Sequence, residues 1–134
     1  MRRTLVPVIG LVLVSVSLAV GQVDVTNVMP GTWEGQVSTS RDRDRTLVIT
    51  AVRQDQAKWI AEARYGITGR TLRPVEIPVS VVGKDVILEF YTPGQGGGAH
   101  VVLKLDREQI LRGSFQPKGV NRVYDMRLEK LAPK

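Results

Sequence analysis

Few side chains in this 134-residue sequence have the type and spacing that chemistry demands. Cysteine is absent, and the single histidine is His100. Nucleophilic catalysis needs a serine or thiol hydrogen-bonded to a base that a third group orients. No serine here sits in the strand–turn–helix setting that exposes such a nucleophile. Metal binding needs three or more converging ligands, and one histidine with dispersed carboxylates does not supply them. No metal, no other cofactor and no catalytic residue is therefore expected, and the chain reads as a non-enzyme.

Two segments imitate functional motifs. "TPGQGGGAH", Thr92 to His100, has the glycine content of a phosphate-cradling loop. Such loops present backbone N–H groups from a helix N-terminus and carry a following Lys and Ser or Thr. Here the glycines run into an apolar strand, so the segment reads as a connecting loop, with a lid over a barrel mouth as its functional alternative. His100, beside it, reads as a partly exposed strand-end residue. "RDRDR", Arg41 to Arg45, reads as a self-neutralising solvated loop, with anion attraction as the runner-up.

The N-terminus sets the context for these residues. Arg2 and Arg3 precede an apolar run from Leu5 to Val20, shorter than the ~20 residues a helix needs to cross a bilayer. Ala19 and Gly21 supply small residues at the −3 and −1 positions of a cleavage site, so residues 1–21 read as a signal peptide cut before Gln22. The expected location is periplasmic or secreted, and the lack of cysteine fits a bacterial exterior. The mature chain is expected to have no membrane span. The net charge of +6 includes Arg2 and Arg3, so the exported part is less basic than the whole. Its aromatic content is only 5%, without interleaving of rings and cations, and nucleic acid is not an expected partner.

Residues 22–30 form a polar lead-in, and residues 31–134 one domain of β character. Trp33, Gly35 and Val37 alternate with Thr32, Glu34 and Gln36, the period of a half-buried strand. In "RTLVITAV" Leu47, Ile49 and Ala51 share one face, with Val48, Thr50 and Val52 on the other. The same alternation aligns Val75, Ile77, Val79 and Val81, where Pro74 and Pro78 mark an edge or bulged strand. It also aligns Val86, Leu88 and Phe90; Val101, Leu103 and Leu105; Leu111, Gly113 and Phe115; and Tyr124, Met126 and Leu128. Gly83–Asp85, Asp106–Gln109 and Gln116–Asn121 read as the turns between them. The segment 56–66 has helical composition, but a strand aligning Trp59, Ala61, Ala63 and Tyr65, with a hairpin tip at Gln54–Asp55, avoids leaving neighbouring edges unpaired. The predicted fold is all-β: an eight-stranded antiparallel up-and-down barrel, closed so that no edge is exposed.

"GTW", Gly31 to Trp33, resembles the first-strand signature of the calycin superfamily, which holds the lipocalins, the fatty-acid-binding proteins and the avidin group. The resemblance implies a lipocalin-like barrel in which Trp33 closes one end and an arginine from the last strand packs across the ring; Gly35, two residues on, would let the strand bend around Trp33. "NRVYD" offers Arg122 for that role, a stacked cation worth ~0.5–2 kcal/mol. "RVYD" also resembles the terminal strand of fatty-acid-binding proteins, which implies an anion-binding role for Arg122 and Tyr124. The chain is shorter than a lipocalin and lacks the several tryptophans that box biotin in the avidin group.

The leading functional expectation is an exported binding protein for a small apolar or amphipathic ligand, contacted by Phe90, Arg122, Tyr124 and Met126. The alternative is a barrel filled by its own side chains that serves as a structural or protein-interaction module. Outward-facing Val48, Val52, Val82 and Ile87 would then be buried in a homo-oligomer.

Overall fold

The computed structural model describes residues 24–39, 42–93 and 98–133. The signal peptide expected over residues 1–21, the start of the lead-in, Arg41 and the loop residues 94–97 lie outside the described residues. A single helical turn, α1 (Val25–Val28), precedes eight strands: β1 (Gly31–Val37), β2 (Asp44–Asp55), β3 (Lys58–Ile67), β4 (Arg73–Val82), β5 (Asp85–Tyr91), β6 (Ala99–Leu105), β7 (Ile110–Pro117) and β8 (Tyr124–Lys130). Each strand pairs antiparallel with the next, and β8 returns to β1 from Trp33↔Lys130 to Val37↔Met126. The result is the closed up-and-down barrel expected from the alternation, with segment 58–67 a strand.

Closure gives each strand an inner and an outer face, and the apolar rows occupy the inner one. Leu47, Ala61, Ile77, Val86, Leu88, Val101, Leu103, Leu111 and Leu128 all have 0% exposure. Burying each large aliphatic side chain stabilises the fold by about 1.5–3 kcal/mol. A surface closed even to a water-sized sphere means that these side chains fill the central barrel themselves, which favours the filled alternative for this layer.

Two local features alter the parity read from the sequence. The β2–β3 register shifts between Ile49 and Ala51, leaving Thr50 as an extra residue whose hydroxyl donates to the Glu62 carbonyl at 3.0 Å. Beyond this bulge the faces exchange. Ala51 points outward, while Val52 packs against the core opposite Ala61, contrary to the expected pairing of Ala51 with Leu47 and Ile49. The strand also runs further than expected, so the hairpin tip is Gln56–Ala57, with Gln56 at φ 59°. The supposed outer stripe is therefore broken: Val52 faces in, and Val48 on β2 is separated from Val82 and Ile87 by outward Arg64, Glu62 and Ile60 of β3.

The second feature concerns β4. It is internal to the closed barrel, yet only Val79–Val82 pair with β5, whereas Arg73–Val79 pair with β3. Pro74 and Pro78 have no N–H to donate, which suits a strand half of which lacks a neighbour on one side. The wall consequently splays between the start of β4 and the end of β5.

Candidate functional site

The two ends of the barrel differ in chemistry. One end is formed by α1, the start of β1, the end of β8 and the β2–β3, β4–β5 and β6–β7 turns. The residues expected to be a polar lead-in supply its plug, since Val25 is 2% exposed and Met29 0%. Trp33 is fully buried beneath them and donates its indole N–H to the Met29 carbonyl at 2.9 Å. The cation over the Trp33 ring is Lys130, at 5.7 Å from the centroid, and its ammonium donates to the Val28 carbonyl at 2.7 Å. Arg122 does not take this place. It precedes β8 at the opposite end of the barrel, is exposed, and lies over Tyr124 at 5.1 Å. Antiparallel pairing dictates the exchange: a residue near the start of β1 faces the end of β8, not its beginning. At Gly35 an added Cβ would meet the Arg127 carbonyl of β8, so close approach of two backbones requires glycine there.

The other end is a mouth. Three inward side chains near it, Arg45, Tyr65 and Phe115, line a concavity of about 350 Å³ together with Arg70, Arg73 and Thr92. Arg73 and Thr92 sit at the splay between β4 and β5. Arg45 is 8% exposed, although a guanidinium stays charged in any protein environment. Its carbon lies 5.2 Å from the centre of the Phe115 ring, and Nη1 makes one long contact, 3.5 Å, to the Asp44 carbonyl. Every aspartate and glutamate of the chain is among the described residues, and none forms an ion pair with Arg45.

Tyr65, 5% exposed, lies edge-on to Phe90 with ring centroids 5.7 Å apart. Its hydroxyl is buried with no hydrogen-bond partner among the described residues. Burial pushes the phenol pKa up, and Arg45 partly opposes that through its charge and a close approach to the hydroxyl that falls short of a well-formed hydrogen bond. A cation without a carboxylate, and a hydroxyl whose neighbouring polar group is that same cation, are costly to bury unless something complements them.

The four expected ligand contacts are distributed differently. Phe90 supports Tyr65 from behind, and Tyr124 is half-buried opposite Phe115. Met126 lies one step deeper, 2% exposed in the packed layer, and Arg122 stands outside on the rim. None of the four lines the concavity itself. Sequence reasoning placed Arg45 in a solvated loop; the available signal was its spacing, two residues before Leu47 and four before Ile49 on the same face of β2.

Other features are less demanding. A larger concavity, about 460 Å³, lies on the outer wall near Gln36, Arg112, Asp125 and Arg127. Its arginines are exposed, and Arg112 and Arg127 already pair with Asp106 and Glu129, contacts worth little at a surface. His100 Nε2 donates to the Glu89 carboxylate at 2.7 Å, and its ring stacks on exposed Tyr91, centroids 4.8 Å apart. No group of three or more metal-ligating side chains occurs among the described residues. The chain matches no family model, no curated protein and no solved structure.

Proposed function

We propose that this chain is an exported, non-enzymatic binding protein that holds a small amphipathic ligand at the mouth of its barrel rather than deep inside it. The observation that carries this reading is Arg45: a buried guanidinium, facing inward beside Phe115 and Tyr65, without a carboxylate partner. Small-molecule sites are concave, with apolar and aromatic walls and a few converging polar groups; here Phe115, Tyr65, Ile67 and Pro93 supply the apolar part and three arginines the polar part. The calycin resemblance supports the same reading, with Lys130 over Trp33 in the part assigned from sequence to Arg122.

The test is a titration of 1-anilinonaphthalene-8-sulfonate into the protein, followed by dye emission and by backbone amide shifts. Saturable binding that moves the amides of Tyr65, Gly66, Thr92 and Phe115, but not those of Gly31 and Lys130, is the expected result. Unsaturable binding, or shifts confined to the Trp33 end, rejects it.

A second reading is favoured by the filled central layer and by exposed Val82 and Tyr91, at 73% and 68%. In that reading the barrel is an interaction module. A molecular mass that rises with concentration, together with no saturable dye site, would select it.

A further inference from the structure

We propose that the mouth is selective for a compact aromatic carboxylate, its carboxylate on Arg45 and the Tyr65 hydroxyl and its ring against Phe115, and that long acyl chains are excluded. This rests on the mouth-binding reading above and adds the ligand class.

The head-group chemistry follows from the two unsatisfied groups. The guanidinium offers a planar fork of N–H donors, which matches the two oxygens of a carboxylate. The guanidinium carbon lies over Phe115, 5.2 Å from the ring centre, and no carboxylate of the chain occupies its N–H groups, which leaves them for the anion. The Tyr65 hydroxyl, buried and without a partner, supplies a further donor from the neighbouring strand. A neutral ligand would leave the Arg45 charge uncompensated, and the site discriminates against it for that reason.

The size limit follows from the floor. One step inward from Arg45 on β2 is Leu47, one step from Phe90 on β5 is Leu88, and one step from Val101 on β6 is Leu103. All three have 0% exposure. A ligand engaging Arg45 therefore meets a packed layer immediately below, and a long chain enters only by displacing side chains packed at crystal-like density. A flat, short ring instead uses the faces and edges of Phe115 and Tyr65, where offset or edge-on contacts are favoured. The concavity of about 350 Å³ lies at the low end of the ~300–1,000 Å³ range for small-molecule sites.

The experiment is competition against the bound sulfonate dye by four probes: 2-naphthoate, neutral 2-naphthamide, hexanoate and palmitate. The expected order places 2-naphthoate first, with 2-naphthamide weaker by about tenfold or more, the size of one charge-assisted hydrogen bond. Arg45→Met, which keeps the bulk, abolishes the preference for naphthoate over naphthamide, and Tyr65→Phe reduces it by about two- to tenfold. Circular dichroism checks that each variant folds, and Arg45→Lys, retaining charge but losing the fork, gives an intermediate preference. Palmitate competing best, equal competition by acid and amide, or an undiminished preference in Arg45→Met overturns the assignment while leaving mouth binding intact. Absence of any saturable dye binding overturns both readings.

Discussion

Lys130 and Trp33 face each other across the β1–β8 seam, the ammonium 5.7 Å from the indole centroid and 2.7 Å from the Val28 carbonyl oxygen. One cation thus joins the last strand, the first strand and the helical turn that plugs the barrel. Lys130→Met removes the ring contact and leaves a carbonyl without its donor. The expected loss is about 1–3 kcal/mol of stability, read from the urea midpoint at unchanged m. Dye affinity at the mouth, on the far end, stays the same.

The bulge at Thr50 makes an opposite pair of predictions for adjacent residues. Val52→Ser places a hydroxyl against the core and is expected to cost about 1–3 kcal/mol. Ala51→Ser, pointing outward, stays within about 0.5 kcal/mol of the parent. Equal effects in denaturant melts would mean that the faces do not exchange where the register shifts.

Gly35→Ala is expected to lower stability by about 2–4 kcal/mol, because its Cβ would meet the Arg127 carbonyl of the paired strand, which cannot rotate away. Gly83→Ala is a contrasting case. No atom lies within 4 Å of its would-be Cβ, and only the positive φ of 62° resists the substitution. Its cost is expected to be about 1 kcal/mol. Thermal or urea unfolding of the two variants side by side separates backbone collision from conformational preference.

Tyr65 predicts a pH dependence. Its phenol has a pKa raised above the ordinary 10.0, chiefly by burial. Above that ordinary value the unfolded chain loses the proton while the folded chain keeps it, so stability falls as pH rises and the loss is complete only above the folded pKa. Below 10.0 the contribution is constant. The Tyr65→Phe protein should therefore lose less stability than the parent as pH rises above 10.0, the slopes differing by at most about 1.4 kcal/mol per pH unit. Identical slopes would show that the hydroxyl ionises freely in the folded barrel.

The sequence determined the strands and most of their inner faces by itself. Alternation in β5, β6 and β8 is a local property, so Val86, Leu88 and Phe90 point inward whatever they meet there. Trp33 was legible as an inward residue for the same reason, whereas its place at a closed end was implied by the calycin resemblance. The turn that plugs that end, with Val25 and Met29, reads in the sequence only as a polar lead-in. Only the tertiary structure decided the partners. Whether Lys130 or Arg122 covers Trp33 depends on the direction and register of β8 against β1, a pairing between residues nearly a hundred positions apart. Val52 changed face because one extra residue was absorbed at Thr50, and alternation read along a single strand contains no record of its neighbour's spacing. Arg45 shows the same division most sharply. In "RDRDR" it is one charge among compensating charges; closing the barrel turned its side of β2 inward, left Asp44 on the other side, and surrounded the guanidinium with Phe115 and Tyr65. A charge acquires a role when its surroundings fail to neutralise it, and those surroundings exist only after the chain has folded.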